Sequence, residues 1–186
     1  MNVERFEVEG PVLITPTVHR DDRGYFLERW REDALARAGV VARFVQDNLS
    51  RTRRGALRGM HFQREPQAQG KLVSVVRGRV LDVIVDLRRG SPTYLAHLKV
   101  VLDDERHAQL WVPPGFAHGF LALADQCDML YKVDAYHSPA HEGGIRWDDP
   151  DLGIDWELER LGPGFRPTTS PRDAALPTLA DSPSLP

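Results

Sequence analysis

Three clusters of polar side chains interrupt the apolar stretches of this chain, at residues 22–28, 46–72 and 113–120. The second and third clusters contain His61 and His118, and an imidazole can gain or lose a proton near neutral pH. Lys71 lies at the end of the second cluster and adds a compact cation with three hydrogen-bond donors. These residue types fit two kinds of chemistry, namely proton transfer on a small molecule and the binding of a metal ion.

The third cluster indicates how one of these histidines is presented. Its P-x-G-x-x-H pattern, which ends at His118, resembles the second motif of cupins, in which a tight corner aims a histidine into a small barrel. Metal-binding cupins supply an H-x-H pair and a glutamate in their first motif, whereas this chain has His61 followed by Gln63. One or two imidazoles without a converging carboxylate make a poor metal site. We therefore predict no bound metal ion and no other cofactor.

The elements that must position these side chains are mostly short strands. Val-rich stretches at 71–77 and 79–87 predict two strands joined by a tight hairpin at Arg77-Gly78. One helix is predicted at 31–38, where Gly39 provides the stop signal. Short strands separated by Gly, Pro and Asp turns indicate an all-β sandwich or barrel and argue against Rossmann and P-loop folds. The further predicted strands lie at 95–102, 108–112, 120–124 and 129–134.

Composition narrows the class of protein further. The length of 186 residues favours a single domain, placed at 1–176, and the last ten residues contain three prolines that predict a disordered tail at 177–186. A formal net charge of −3 argues against a nucleic-acid-binding protein, and the lone Cys127 excludes an internal disulfide. No secretory signal and no stretch of ~20 apolar residues is present, so we expect a cytoplasmic protein without a membrane association.

Several short motifs occur in an order that is more specific than any one of them. They are D-x-G-x-F-x-E from Asp22, Q-x-N from Gln46, L-R-G-x-H from Leu57, Q-x-K-L-V from Gln69, G-F-A-H-G-F from Gly115, Tyr131-Lys132, Glu142 and W-D-D-P from Trp147. From about residue 10 to residue 173, this pattern closely resembles the dTDP-4-dehydrorhamnose 3,5-epimerase family. The resemblance implies an isomerase with an all-β jelly-roll (double-stranded β-helix) cupin fold and a few short helices. It further implies a metal-free protein that usually forms a homodimer and takes a dTDP-4-keto-6-deoxy sugar as substrate.

Inversion at a carbon beside a ketone requires a base on one face of the sugar and an acid on the other. By resemblance, His61 is the base, and Asp173 is the carboxylate that holds its far ring nitrogen. Tyr131 matches the general acid of the family, because a neutral phenol can donate a proton at pH 7. Lys71 is suited to stabilise the enolate oxygen as negative charge develops there.

The resemblance also implies a set of binding residues for a diphosphate, a sugar and a thymine base. Arginine side chains match phosphate oxygens through their paired N–H groups. Two positions depart from the family pattern: Arg172 stands where lysine is common, and His137 replaces the tyrosine implicated in stacking on thymine. The implied binding residues are Arg23, Glu28, Gln46, Asp47, Asn48, Arg58, Lys71, His118, Tyr136, His137, Glu142 and Arg172.

The sequence leaves four functions open. The leading one is inversion at both C3 and C5 of dTDP-4-dehydro-6-deoxy-D-glucose, which gives dTDP-4-dehydro-L-rhamnose for deoxysugar biosynthesis. The second is a monofunctional 3- or 5-epimerase on the same class of substrate, because the pair of His61 and Tyr131 serves both reactions. The third is a non-catalytic module that binds sugar nucleotides, which the retained base and acid disfavour. The fourth is a metal-dependent cupin oxygenase or isomerase, which the missing H-x-H pair disfavours.

Overall fold

The computed structural model describes residues 1–182 and 185–186, and its regular structure is mostly β-strand, which confirms the predicted all-β class. The two α-helices are short, and no helix in these residues has the length and apolarity needed to cross a bilayer. The elements in chain order are β1 (Asn2–Arg5), β2 (Val12–Thr15), β3 (Val18–Asp21), β4 (Gly24–Leu27), α1 (Glu32–Arg37), β5 (Gln46–Arg53), β6 (Leu57–Gln63), β7 (Lys71–Arg77), β8 (Arg79–Asp86), β9 (His97–Asp103), β10 (Gln109–Val112), β11 (Phe116–Ala122), β12 (Gln126–Val133), β13 (Glu142–Gly144), a 3₁₀ turn (Leu158–Leu161) and α2 (Pro171–Ala174).

Two antiparallel sheets that pack on each other form the body of the molecule. The six-stranded sheet has the order β1-β2-β10-β7-β12-β5, and the five-stranded sheet has the order β13-β6-β11-β8-β9. Most neighbours in space are distant in sequence, as expected for a jelly roll, so the predicted sandwich is confirmed. Strands β3 and β4 pair only with each other and form a separate hairpin, which we call the β3–β4 hairpin.

Apolar side chains from both sheets fill the space between them. Val73 and Leu110 of the six-stranded sheet belong to one buried cluster with Ile84 and Phe120 of the five-stranded sheet. Successive side chains of a strand point to opposite faces, so every second residue reaches this core. Burial of each such side chain stabilises the fold by about 1.5–3 kcal/mol, which makes this cluster the main support of the sandwich.

The outer faces of both sheets are covered as well. On the five-stranded sheet, Leu81 packs in a second buried cluster with Trp156 of the C-terminal segment. On the six-stranded sheet, Leu35 of α1 packs in a third cluster with Trp111. The predicted helix is confirmed, and Gly39 follows its last turn with φ +87°. The apolar side chains on the outer face of each sheet are therefore covered, by the C-terminal segment on one sheet and by α1 on the other.

The predicted hairpin at Arg77-Gly78 is wrong. Strand β7 lies between β10 and β12, whereas β8 lies between β11 and β9 in the other sheet. Gly78, with φ +82°, carries the chain from one sheet to the other. Both strands are almost entirely buried, and each pairs along both of its edges, which an isolated hairpin could not provide.

Strand β11 begins at Phe116, earlier than the predicted start at residue 120. Gly115, with φ +88°, forms the tight corner immediately before it. As a result, His118 lies within a strand and directly opposite His61 on β6. The corner thus brings the two histidines of the polar clusters onto neighbouring strands of one sheet.

The C-terminal segment makes backbone contacts with the body of the protein. The carbonyl oxygen of Pro177 accepts a hydrogen bond from the N–H of Arg146 at 2.9 Å. The N–H of Leu179 donates to Asp149 Oδ2 at 2.7 Å. The predicted disorder of 177–186 includes residues 183–184, which lie outside the described residues, and it stays a prediction.

The crossover between the sheets gives a test of the fold. We expect Gly78→Ala to lower the free energy of unfolding by about 2 kcal/mol or more, because alanine is strained at positive φ. In addition, its Cβ would lie only 2.3 Å from the carbonyl oxygen of Gln126. Chemical denaturation followed by tryptophan fluorescence measures the change.

Gly90→Ala is the matched control for Gly78→Ala. No atom lies within 4 Å of a Cβ added at Gly90, and its φ lies outside the left-handed region. We expect a change in stability below about 0.5 kcal/mol for this control. Equal stability of the two variants would contradict the strained crossover.

Candidate active site

A cavity of about 630 Å³ opens between the two sheets. Strands β6, β11 and β13 of the five-stranded sheet form one wall, and β5, β7 and β12 of the six-stranded sheet form the other. Residues 168–173, which lead into α2, complete its lining. This volume is typical of sites that bind small molecules.

His61 on β6 and Asp173 on α2 form a hydrogen-bonded pair in this cavity. His61 Nε2 donates to Asp173 Oδ1 at 2.9 Å, and the backbone N–H of Gly59 donates to Oδ2 at 3.3 Å. Burial raises the pKa of Asp173, but the hydrogen bonds from His61 and Gly59 outweigh it and hold this pKa below its usual value. The charged carboxylate fixes the imidazole tautomer, so Nδ1 is the ring nitrogen left to accept a proton.

Tyr131 on β12 lines the cavity from the other sheet. Burial raises the pKa of its phenol, although the nearby Arg58 works in the opposite direction. The hydroxyl is therefore protonated at neutral pH and can donate. Because His61 and Tyr131 lie on opposite walls, a ligand between them meets a base on one face and an acid on the other.

Lys71, at the start of β7, has a buried ammonium group. Its Nζ donates to the carbonyl oxygen of His61 at 3.4 Å, which places the cation beside the imidazole-bearing strand. Burial lowers the pKa of Lys71 to about 8, against the opposing effects of Asp82 and Glu142. At neutral pH the side chain is still charged and can stabilise negative charge on a ligand.

Glu142 on β13 holds two basic side chains at the edge of the cavity. Its Oε2 accepts from Arg172 Nη2 at 2.5 Å and from His137 Nε2 at 3.2 Å. Burial raises the pKa of Glu142, but the bonds from Arg172 and His137 hold it below its usual value. The backbone N–H of His137 also donates to Gln46 Oε1 at 3.2 Å, which ties this edge to the six-stranded sheet.

The side chains around the cavity do not fit a metal centre. His61 and His118 each direct Nε2 to a carboxylate, and Gln63 is engaged by backbone groups of Gln67 and Ser138. In residues 1–182 and 185–186, no group of three or more His, Cys, Asp or Glu side chains is arranged to hold a metal ion. The expectation of a metal-free protein stays a prediction.

Comparison with known proteins fits this geometry. The family model described as dTDP-4-dehydrorhamnose 3,5-epimerase matches residues 5–181. The chain belongs to this family. A relative with the same name from Methanothermobacter thermautotrophicus is 51% identical over 154 residues, which are 83% of this chain and 83% of the relative.

Solved structures of the family share this architecture. The 3,5-epimerase of Legionella pneumophila, in complex with dTDP-4-keto-L-rhamnose, has a TM-score of 0.90 and 42% identity, and the match covers 96% of this chain and 93% of that one. A 3′-monoepimerase from Streptomyces bikiniensis, in complex with dTDP-quinovose, has a TM-score of 0.85 and 36% identity over 94% of this chain and 86% of its own. The fold of each of these enzymes therefore matches the fold of nearly the whole of this chain.

Most of the residues that the family resemblance singles out line the one cavity. They come from both sheets and from α2, so residues far apart in sequence meet there. Those that line it are Gln46, Asn48, Arg58, His61, Lys71, His118, Tyr131, His137, Glu142, Arg172 and Asp173.

The other predicted binding residues do not line this cavity within their own chain. Arg23 lies at the tip of the β3–β4 hairpin with 90% of its side chain exposed, and Glu28 lines a second cavity beside that hairpin. Asp47 pairs with Lys132 at 3.0 Å, and Tyr136 is 65% exposed. Asp47 is out of reach because it alternates with Gln46 along β5, so its side chain points away from the cavity. The predicted roles of these four residues stay predictions.

Sequence reasoning missed two residues that support the site. Asp82 on β8 is fully buried, and its Oδ2 accepts from His118 Nε2 at 2.9 Å. The sequence signal for Asp82 is its alternation, together with Asp86, with apolar residues along β8. In the structure, both faces of this strand are buried. Ser170 begins α2, where its Oγ accepts from the N–H of Asp173 at 3.0 Å.

The buried ammonium gives a direct test of the site. We expect Lys71 to titrate near pH 8, whereas Lys99, whose pKa is raised by its bond to Glu157, titrates above its usual range. The chain has three lysines, so NMR of ¹³C-labelled lysine side chains resolves each one. The NMR signal that disappears in the Lys71→Met variant is the signal of Lys71. If the signal of Lys71 titrates above pH 10, its ammonium is not buried as described.

Proposed function

We propose that this chain inverts C3 and C5 of dTDP-4-dehydro-6-deoxy-D-glucose and so produces dTDP-4-dehydro-L-rhamnose. The observation that carries the proposal is a single cavity with the pair of His61 and Asp173 on one side and Tyr131 on the facing wall. Membership of the 3,5-epimerase family supports the choice of substrate. The geometry then gives each side chain a step in the reaction.

The first step removes a proton from a carbon next to the ketone. His61 Nδ1 takes the proton, the electrons of the C–H bond form the C=C bond of an enolate, and the carbonyl electrons move onto oxygen. Asp173 stabilises the imidazolium that results, because its carboxylate holds Nε2–H at 2.9 Å. General base catalysis of this kind accelerates a reaction by about 10²–10⁴-fold.

The enolate oxygen needs a positive partner as its charge develops. Lys71 is the buried ammonium of the cavity, and its contact with the His61 carbonyl keeps it next to the base. An ammonium that is already in place when charge appears lowers the barrier more than a solvated one, since no water must reorganise.

The last step returns a proton to the same carbon from the opposite face. Tyr131 donates its phenolic proton, the C=C electrons form the new C–H bond, and the carbonyl is restored, so the configuration is inverted. The phenolate then takes a proton from solvent, and the imidazolium of His61 releases one. Each inverted carbon therefore carries hydrogen that came from water.

The nucleotide end of the substrate would occupy the charged edge of the cavity. Arg58 is oriented by a bond from Nε to Thr52 Oγ1 at 3.0 Å, and Arg172 by its pair with Glu142. Two oriented guanidinium groups suit the oxygens of a diphosphate. His137 offers a flat ring of smaller area to the thymine base.

We also propose that the protein works as a homodimer in which a second copy supplies Arg23 and Glu28. Both residues are expected to contact substrate, yet neither lines the cavity of its own chain. The β3–β4 hairpin that carries Arg23 also exposes Tyr25 and Phe26, at 54% and 70%. An exposed aromatic pair beside residues that are expected to bind substrate is what an isologous interface would cover.

The charge of the substrate also indicates where the reaction takes place. A nucleotide diphosphate sugar does not cross a bilayer unaided, because burying its phosphate charges in hydrocarbon is very unfavourable. We therefore place the protein in the cytoplasm, where such nucleotides are made.

Inversion of a single carbon is the second candidate function. The Streptomyces bikiniensis 3′-monoepimerase has the same fold, and the pair of His61 and Tyr131 serves one inversion as well as two. His137, at the position expected to stack on the base, could alter how the sugar sits between base and acid.

Incubation of the protein with dTDP-4-dehydro-6-deoxy-D-glucose in D₂O separates the two candidates, because every inverted carbon takes up solvent hydrogen. NMR is expected to show deuterium at both C3 and C5. Deuterium at one carbon only would establish the single inversion instead. Absence of deuterium at both carbons would rule out both reactions.

The roles of base and acid are tested by His61→Ala and Tyr131→Phe. We expect each variant to lose at least about 100-fold in turnover, since general acid and base catalysis are removed. The affinity for dTDP, measured by calorimetry, should stay within about twofold because neither change removes a phosphate-binding group. His97→Ala and Tyr94→Phe, outside the cavity, are matched controls and should keep full turnover. Normal turnover of either cavity variant would remove that residue from the mechanism.

Shared sites predict complementation between inactive variants. Arg23→Ala and His61→Ala are each expected to be inactive alone, but when co-expressed, the mixed dimer contains one intact site. Random pairing then gives about a quarter of wild-type turnover. His61→Ala with Tyr131→Phe is the control, since both changes lie in one cavity and no intact site can form. If the first mixture stays as inactive as the control, a second copy does not supply Arg23.

A further inference from the structure

Asp82 is a buried carboxylate that the reaction steps above do not use. It lies on β8 between Val80 and Ile84, and both of these neighbours on the same face belong to the apolar core between the sheets. None of its surface is exposed. A charged carboxylate in such surroundings is strongly unfavourable unless it is fully paired, and well-packed apolar residues would be more stable there.

The carboxylate of Asp82 is only half paired. Oδ2 accepts from His118 Nε2 at 2.9 Å, whereas Oδ1 is buried and has no hydrogen-bond partner among the described residues. His118 lines the cavity together with Lys71. An acceptor without a partner therefore belongs to a carboxylate that is one hydrogen bond away from the cavity lining.

Asp82 is also one of the two carboxylates that favour the charged form of Lys71 against burial. The other, Glu142, is already in contact with Arg172 and His137. The carboxylate of Asp82, by contrast, has a single side-chain partner, His118, among the described residues. The titratable and charged groups that line the cavity around Lys71 are Arg58 and His61 on β6, His118 on β11, Tyr131 on β12, His137 between β12 and β13, Glu142 on β13, and Arg172 with Asp173 on α2.

We propose that Asp82 is a positioning residue that fixes the ring of His118 and supplies a buried negative charge next to the part of the cavity that His118 and Lys71 line. It touches no substrate and acts only through these two side chains. The inference rests on the proposed function, because it assigns Asp82 to the step in which the enolate oxygen gains charge. A carboxylate that costs stability is retained here because the reaction needs its charge.

The test is Asp82→Asn, which keeps the size of the side chain and removes its charge. We expect kcat for solvent exchange to fall about fivefold at pH 8, because the protonated fraction of Lys71 falls from about one half to about one tenth. The alkaline limb of the pH profile should move down by about one pH unit, because Lys71 loses its proton more readily without a nearby negative charge. Affinity for dTDP should stay within about twofold, and Tm should not fall, since a half-paired buried charge has been removed.

Asp86→Asn is the matched control, because Asp86 lies on the same strand, is equally buried and faces the same way. Its carboxylate is satisfied by Arg88, Ser91 and Thr93, so its loss should lower Tm and leave the pH profile unchanged. Asp82→Glu retains the charge and should keep the alkaline limb in its wild-type place.

Three results would overturn the proposal. The first is a wild-type pH profile and turnover in Asp82→Asn. The second is a lowered Tm with the same loss of turnover at every pH, which is the behaviour of a structural residue. The third is failure of both Asp82 variants to fold. If the wild-type protein exchanges no hydrogen with solvent, the proposed function is wrong. The inference can still be tested, because the pH midpoint of the Lys71 NMR titration should fall in Asp82→Asn.

Discussion

The hydrogen bond between His61 and Asp173 joins parts of the chain that are 112 residues apart, and the whole site depends on it. Helix α2 has only four residues, too few to be stable by itself. It is held because Ser170 caps it and the carboxylate of Asp173 bonds to β6 through His61 and Gly59. One carboxylate thus holds α2 against β6 and orients the imidazole that we propose as the base, so the same contact fixes both.

Burial and electrostatic pairing act against each other on four ionisable groups of the cavity. For Asp173 and Glu142, pairing prevails and both pKa values are lowered. For Tyr131 and Lys71, burial prevails, which raises the pKa of the phenol and lowers that of the ammonium. The outcome at neutral pH is two charged carboxylates, a neutral phenol and a charged ammonium within one cavity. The proposed inversion through an enolate uses the neutral phenol as the acid and the charged ammonium as the partner of the enolate oxygen.

The sequence allowed the site to be predicted better than the strands that carry it. Ordered motifs identified most of the cavity residues, and Val-rich stretches identified β7 and β8. Strands β5 and β6 were not predicted, because the side chains of β5 that face the cavity are polar, such as Gln46 and Asn48, and the usual alternation of apolar and polar residues is lost. The pairing partners of β7 and β8 were also predicted wrongly, because a glycine between two strands is equally consistent with a hairpin and with a crossover between sheets. The role of Asp82 was missed because Asp82 and Asp86 alternate with apolar residues, which is the sequence pattern of a solvent-facing side of a strand.

Loss of one proton from the ammonium of Lys71 would give this side chain a different reactivity. Its buried amine loses the proton near pH 8 and then becomes a nucleophile, whereas Lys99 stays protonated through its contact with Glu157. A ketone sugar is the kind of electrophile that an amine attacks to form an imine. In a mildly alkaline medium, the residue proposed to stabilise the enolate could therefore instead form a covalent bond with a ketone ligand in the cavity. The charge on Lys71 prevents that reaction, because a protonated amine is not a nucleophile.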